Sequence, residues 1–227
     1  MTPAVPPPAA PDPDLSAAAP AAGTGAIRTI AVIGAGTAGR SFALAVACAG
    51  FHVILEDVMP ANLRKAEADF ADMTQRPGLS GNGGRLSLSL TVEDAVRGAD
   101  LAIDFVPDEL ESKLEIFSMI DRMAPPRTIL CTPSEALSIT DLASCVYRPE
   151  RCFALRGSLI AQPLANQPLA NQPATPPLRL LHPSVAGPAP LAATSAFFQS
   201  LGLSVATEVD PDAPMLMKNL APAVSTI

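Results

Sequence analysis

The sequence predicts an α/β protein built on a doubly wound parallel sheet. Apolar, β-branched runs of strand length alternate with segments of helical periodicity, and the glycine-rich turn GAGTAG joins the first such pair. Strands that alternate with helices form βαβ units, which place successive strands in parallel. The length of 227 residues allows one substantial core and leaves little room for a second full domain.

Each element is predicted from its local pattern. Short β-branched or alternating runs indicate strands, and longer periodic segments that begin near Pro or end at Gly indicate helices. The predicted strands are 29–33, 52–57, 86–91, 100–107, 127–132, 151–157, 178–183 and 203–209. The predicted helices are 37–49, 60–76, 109–124, 138–146 and 189–202.

Two segments depart from this alternation. Residues 1–26 are rich in Ala and Pro, which predicts a disordered tail ahead of a single domain at 27–210. Residues 161–177 contain the direct repeat PLANQPLANQP, whose regularly spaced prolines exclude a helix or a central strand. We expect an extended insert there.

The overall charge and the cysteines limit the classes of partner. A net charge of −7 and a pI near 4.8 argue against nucleic acid and against an anionic membrane surface. No apolar run is long enough to span a bilayer and the N-terminus lacks the features of a signal peptide, so we expect a cytoplasmic protein. The four cysteines have no metal-ligand spacing and are expected to be buried thiols, namely Cys48, Cys131, Cys145 and Cys152.

The turn after the first strand carries a dinucleotide-binding pattern. In G-x-G-x-x-G, Gly34 permits a tight turn, Gly36 lets the backbone approach a pyrophosphate, and Gly39 lets the helix pack closely. Asp57 ends the second strand 18 residues after the last glycine, where it can bind the ribose 2′-hydroxyl and repel a 2′-phosphate. NAD is therefore favoured over NADP. The turn residues predicted to contact it are Gly34, Ala35, Gly36, Thr37, Ala38 and Gly39. The alternative is a tight turn without a ligand.

Several blocks together resemble the NAD-binding domain of the 3-hydroxyacyl-CoA dehydrogenases. They are IAVIGAGTAGRSFALAVACAGFHVILEDVMP, EDAVRGADLAIDFVPDELESKLEIFSMIDRMAPPRTIL and LSITDLA, and the resemblance extends from about residue 28 to 219. It implies a Rossmann-like domain that binds NAD, and an ancestor that oxidised the 3-hydroxyl of an acyl-CoA. It also implies that Asp108 and Lys113 lie at the NAD site. The alternative for these two is a helix-start acid and a surface charge.

The residues that perform the chemistry in this family are not matched. The family's catalytic His corresponds to Arg156, and its orienting Glu corresponds to Leu180. An arginine stays protonated and cannot act as a base. The family's NTSS segment is PSEA here, which introduces Glu135. No catalytic residue is therefore predicted.

Two regions of the family are also reduced. Its helical hairpin after the second strand, which helps to bind CoA, corresponds to RPGLSGNGGR. We expect its helical C-terminal domain, which forms the dimer, to be missing, and we interpret 211–227 as a remnant of the linker to it. The oligomeric state is therefore left open.

Three functions are compatible with these residues. The first is a non-catalytic NAD(H)-binding protein, in which Arg156 either pairs with Glu135, which we favour, or binds an anion. The second is an active NAD-dependent dehydrogenase of a CoA or carrier-protein thioester, with a base supplied by His182 or another chain. The third is an interaction protein without nucleotide, supported by Phe105, which is bulkier than the small residue usual in the family.

Overall fold

The computed structural model describes residues 26–75, 83–160 and 176–210. The expected tail, the expected insert and the expected linker remnant lie almost wholly outside these ranges. The strands within them are β1 (Thr29–Ile33), β2 (His52–Glu56), β3 (Arg85–Ser89), β4 (Leu101–Asp104), β5 (Ile129–Pro133), β6 (Cys152–Arg156), β7 (Leu178–His182) and β8 (Val205–Val209). The helices are α1 (Thr37–Cys48), α2 (Pro60–Thr74), α3 (Val92–Val96), α4 (Leu110–Met123), α5 (Ile139–Ala143) and α6 (Pro188–Ser200).

The strands form one sheet in the order β3-β2-β1-β4-β5-β6-β7-β8. All neighbours from β3 to β6 are parallel, and so are β7 and β8. The predicted α/β class and doubly wound sheet are confirmed, with one departure from parallel pairing. Strands β6 and β7 run antiparallel, with Ala154 opposite Leu181. Antiparallel neighbours need no crossover helix, which agrees with the proline-rich sequence between them.

The helices cover both faces of the sheet. On one face α1, α2 and α6 enclose a cluster that includes Phe42, Leu63 and Phe198. On the other face α3, α4 and α5 enclose a second cluster around Phe117 and Leu142. The central strands β1 and β4 are buried throughout apart from the first residue of β1, as expected for parallel strands covered on both sides. None of the helices in the described ranges is long and apolar enough to cross a membrane.

One helix and two thiols differ from the predictions. Helix α3 lies in VEDAVRGA, for which the sequence analysis predicts no helix. The signal for it is Thr91, which accepts a hydrogen bond from the Asp94 N–H and thus caps the helix. The prediction of four buried thiols is confirmed for Cys131 and Cys152 and wrong for the other two. Cys145 is exposed and Cys48 is half-buried. Burial raises the pKa of both buried thiols, so they are unreactive.

Candidate functional site

The candidate site lies at the carboxyl ends of β1 and its neighbours β2 and β4. Strand β1 lies between these two, so the chain leaves it at the point where the strand order reverses. In open α/β sheets, ligands bind in the crevice outside the carboxyl ends of the strands at this point. The G-x-G-x-x-G turn and Asp57 are both brought to this edge.

Each glycine of the turn has a distinct structural role. Gly34 has φ +97°, a conformation that side chains rarely adopt. A Cβ on Gly39 would lie 2.0 Å from the Gly34 carbonyl oxygen, so no other residue fits there. A Cβ on Gly36 would meet nothing within 4 Å. The backbone at Gly36 therefore faces open space, which is the space that a pyrophosphate needs.

The other turn residues divide between the core and the surface. Ala35 is fully buried, whereas Thr37 and Ala38 are exposed in the first turn of α1. No side chain caps this helix, so its first N–H groups are left for solvent or an anion. The predicted cofactor contacts of these residues stay predictions.

Asp57 lies against the glycine turn. Its Oδ2 accepts hydrogen bonds from the Ala35 N–H at 2.8 Å and from the Asn62 Nδ2 at 3.0 Å, and its Oδ1 accepts from the Met59 N–H at 2.8 Å. A carboxylate has about four lone-pair sites, so one on Oδ1 is left for a ribose hydroxyl. Asn62, which orients this carboxylate, was not identified from the sequence.

A second carboxyl group precedes Asp57. The Glu56 residue is 4% exposed. Burial, with repulsion from Asp57, raises the pKa of Glu56 to about 7, although a backbone hydrogen bond from Gly34 opposes the rise. The site therefore contains an acid that titrates near neutral pH. Sequence reasoning missed it because Glu56 reads only as the last residue of an apolar strand.

Lys113 lies beneath this edge of the sheet. Its Nζ donates to the Asp104 Oδ1 at 2.7 Å and to the Pro133 carbonyl oxygen at 3.1 Å, and both charged side chains are almost fully buried. Burial raises the pKa of Asp104, and the Lys113 ammonium group opposes that rise. The alternative of a surface charge is wrong for Lys113. Its predicted contact with NAD stays a prediction.

The ends of β4, β5 and β6 are linked by hydrogen bonds. Asp108 accepts from the Glu135 N–H through its Oδ2 at 3.1 Å, and Glu135 accepts from the Gly157 N–H through its Oε1 at 3.2 Å. Asp108 is exposed, so the role implied for it at the NAD site is sterically open and stays a prediction.

Arg156 does not form the expected ion pair. Its Nε–H donates to the Ser134 carbonyl oxygen at 3.2 Å and its Nη2–H to the Leu137 carbonyl oxygen at 3.1 Å. Glu135 and Arg156 are both described and form no ion pair with each other, and the Glu135 Oε1 accepts instead from the Gly157 N–H. The favoured pairing is wrong because the loop after β5 offers its backbone carbonyls to the guanidinium. Arg156 thus holds that loop against β6.

His182 lies at the opposite edge of the sheet. Since β7 runs antiparallel to β6 and Leu181 pairs with Ala154, His182 lies toward the amino end of β6. Its Nδ1 is 3.0 Å from the Pro183 carbonyl oxygen. The hypothesis that His182 supplies a base to the cleft is therefore wrong.

The Phe105 ring packs against the hydrophobic core. Its N–H donates to the Ile33 carbonyl oxygen at 2.7 Å, and its ring lies 5.5 Å from the Phe42 ring. Such a contact stabilises the α1 face of the sheet. The size of Phe105 therefore does not by itself argue against a nucleotide.

Comparison with known proteins agrees with this geometry. The family model for the 3-hydroxyacyl-CoA dehydrogenase NAD-binding domain matches residues 29–156, more than half of the chain. A probable 3-hydroxybutyryl-CoA dehydrogenase of Bacillus subtilis (strain 168) is 34% identical over 138 residues, which cover 57% of this chain and 48% of the relative. The 5-formyl-3-hydroxy-2-methylpyridine 4-carboxylate 5-dehydrogenase of Mesorhizobium japonicum is 31% identical over 138 residues, which cover 58% of this chain and 45% of that relative.

The solved structures show the same fold. The (S)-3-hydroxybutyryl-CoA dehydrogenase of Ralstonia eutropha superposes with a TM-score of 0.68 at 22% identity, covering 82% of this chain and 64% of that one. The chain spans about half the length of the two curated relatives above. It belongs to the 3-hydroxyacyl-CoA dehydrogenase family, whose NAD-binding domain it carries, and its cofactor is NAD.

Proposed function

We propose that this chain binds NAD(H) at the carboxyl ends of β1 and β2 and does not itself oxidise 3-hydroxyacyl thioesters. The proposal that the chain does not oxidise these thioesters rests on where the two histidines of the sequence lie in the sheet. His52 begins β2 and His182 ends the antiparallel β7, so both lie at the edge opposite the glycine turn.

The proposed binding residues act through backbone and charge. The turn 34–39 presents N–H groups to the pyrophosphate, with the open space at Gly36 as the point of approach. The remaining lone pair of Asp57 accepts from the adenosine ribose, and its negative charge disfavours a 2′-phosphate. Asp108 and Lys113 are proposed to support the nicotinamide end, Asp108 directly and Lys113 by fixing the end of β4 through Asp104.

The missing element is a histidine base at the cofactor edge of the sheet. Bound NAD supplies a hydride acceptor, and a substrate hydroxyl must then lose its proton to a group that is deprotonated near neutral pH. The end of β6 presents Arg156, whose guanidinium only donates hydrogen bonds and already donates to two carbonyl oxygens. The other ionisable side chain there is Glu135, whose Oε1 accepts a hydrogen bond from the Gly157 N–H and so links the loops after β5 and β6.

The proposed location in the cell follows from the state of the cysteines. Two thiols are buried and none of the four is in a disulfide, which fits a reducing compartment. We therefore place the protein in the cytoplasm.

A single-turnover assay tests the proposal. The full chain is loaded with NADH, binding is verified by nucleotide fluorescence, acetoacetyl-CoA is added, and the absorbance of the reduced nicotinamide is followed. The dehydrogenase of Bacillus subtilis serves as the positive control. We expect bound NADH to persist in this chain, because no histidine lies at the cofactor edge to complete the proton transfer.

Two results would contradict the proposal. Loss of NADH absorbance in step with acetoacetyl-CoA would make the chain an active thioester dehydrogenase with a replaced base. Failure of NADH to bind at all would favour an interaction protein that retains only the fold.

A further inference from the structure

A second cavity of about 570 Å³ lies far from the cofactor site. Its lining comes from residues at or just before the amino ends of the strands, among them Ile27 before β1, Phe51 before β2 and Ile129 in β5. The glycine turn lies at the carboxyl ends of the same strands. The cavity, which we call the amino-edge groove, is therefore separate from the nucleotide site.

The floor of the amino-edge groove is apolar. One face of α6 contributes Ala189, Ala192, Ala193 and Ala196, at the spacing that places residues on a single helix face. Three of these alanines are exposed. The rings of Phe51 and Phe197 meet edge to face at 5.1 Å. These small side chains and the two aromatic rings form an apolar channel, which suits an aliphatic side chain.

Two arginines lie at the rim of the groove. Arg127 and Arg151 line it together with Asp100, and each has an acidic neighbour, Asp100 for Arg127 and, at 3.7 Å, Glu150 for Arg151. Arg127 lies 3.3 Å from Asp100 but is 62% exposed, so its guanidinium retains free N–H groups. These free N–H groups can bind the carboxylate of an acidic occupant.

The chain itself enters the described region through this groove, since Ala26 and Ile27 are among the lining residues. The 25 residues before them contain no Lys or Arg, and their acids are Asp12 and Asp14. Leu15 directly follows these acids and is one of three large apolar residues there. The eleven Cα–Cα steps from Leu15 to Ala26 span about 35 Å when extended, enough for the chain to return along the groove.

We propose that residues 11–17 of this chain bind in the amino-edge groove, with Leu15 in the apolar channel and Asp12 and Asp14 facing Arg127 and Arg151. The segment is covalently attached, so its effective concentration is of millimolar order and few contacts suffice to dock it. Pro11 and Pro13 restrict the unbound segment and lower the entropy lost on docking.

Limited proteolysis of the full chain tests this docking. Thermolysin cleaves before leucine, so the rate of cleavage between Asp14 and Leu15 is compared with that in a synthetic peptide of residues 1–25. We expect cleavage in the full chain to be at least about tenfold slower. The protection is independent of protein concentration if the occupant belongs to the same chain.

Matched variants assign the protection to the groove. Ala192→Trp fills the channel and Arg127→Glu reverses the rim charge, so both are expected to abolish the protection. Gln199→Trp, on α6 outside the groove, and Arg127→Lys are expected to retain it. Circular dichroism verifies that each variant is folded.

Several outcomes would overturn the proposal. Equal cleavage of full chain and peptide would leave the groove without this occupant. Protection that survives in folded Ala192→Trp and Arg127→Glu would place the segment elsewhere. Protection that rises with protein concentration would identify a second copy as the occupant.

Discussion

At the end of β2, Glu56 and Asp57 place two carboxyl groups beside the glycine turn. Their environments differ, because Asp57 accepts three hydrogen bonds whereas Glu56 is buried and faces the charge of Asp57. Burial favours the neutral form of a carboxyl group, so Glu56 holds its proton to a higher pH than an exposed glutamate does. This edge therefore has a pH dependence that the sequence does not suggest.

Stability is predicted to depend on pH through Glu56. Its pKa rises from 4.5 to about 7 in the folded protein, so the folded state holds the proton more tightly than the unfolded state. The free energy of unfolding therefore falls as pH rises through that window. Glu56→Gln removes this fall, so its stability relative to wild type should rise across the window by about 1–3 kcal/mol, allowing for solvent screening.

Urea unfolding from about pH 4.5 to about pH 8 measures the effect. Glu67→Gln, at an exposed position on α2, is the control and should show no such trend. A difference between Glu56→Gln and wild type that stays constant with pH would refute the assignment.

Residues of the site differ in how far the sequence predicts them. The glycines and Asp57 occupy positions fixed by backbone geometry, so spacing alone places them correctly. Spacing alone does not predict the position of Lys113. Its partner Asp104 lies in a different element, and the burial of Lys113 depends on how α4 packs. The one available signal was an acid inside the apolar strand LAID, since a buried carboxylate needs a cation or a donor.

At the scale of elements, the β1–α1 turn combines a structural and a functional constraint. Gly39 is required by close packing against the Gly34 carbonyl, and Gly36 is not required by any contact within the described chain. A glycine that the fold does not need is explained by a ligand that approaches the backbone there.

Alanine substitutions are predicted to separate these constraints. Gly39→Ala forces its Cβ against backbone and should destabilise the protein by roughly 1–3 kcal/mol or more. Gly36→Ala meets open space, so it should change stability by less than about 1 kcal/mol while weakening NADH binding at least about tenfold. Thermal unfolding and calorimetric titration measure the two quantities. Unchanged NADH affinity in Gly36→Ala would make the turn purely structural.

The direction of β7 is the element-scale feature that sequence reasoning missed. A buried strand has the same apolar pattern whether it runs parallel or antiparallel, so LRLLH gives no direction. The signal lay in the connection, because parallel neighbours need a crossover that is usually helical and the proline repeat excludes one. Recognising it would have placed His182 at the far edge of the sheet.

Over the whole molecule, the sheet separates two kinds of surface. Its carboxyl edge carries the glycine turn, the paired acids and the loops held together by Arg156 and Glu135. Its amino edge carries both histidines and the amino-edge groove. The cofactor residues and the two histidines thus lie at opposite edges, and this separation is the basis of the proposal that the chain binds NAD(H) without turnover.

The central claim is tested most directly by calorimetric titration of the full chain with NADH and with NADPH, in wild type and in Asp57→Asn. The substitution keeps an oxygen acceptor for the Ala35 N–H and removes the charge that repels a 2′-phosphate. We predict that wild type binds NADH at least about tenfold more tightly than NADPH, and that Asp57→Asn loses most of this preference. Binding of neither nucleotide, or a preference that Asp57→Asn leaves intact, would contradict the account.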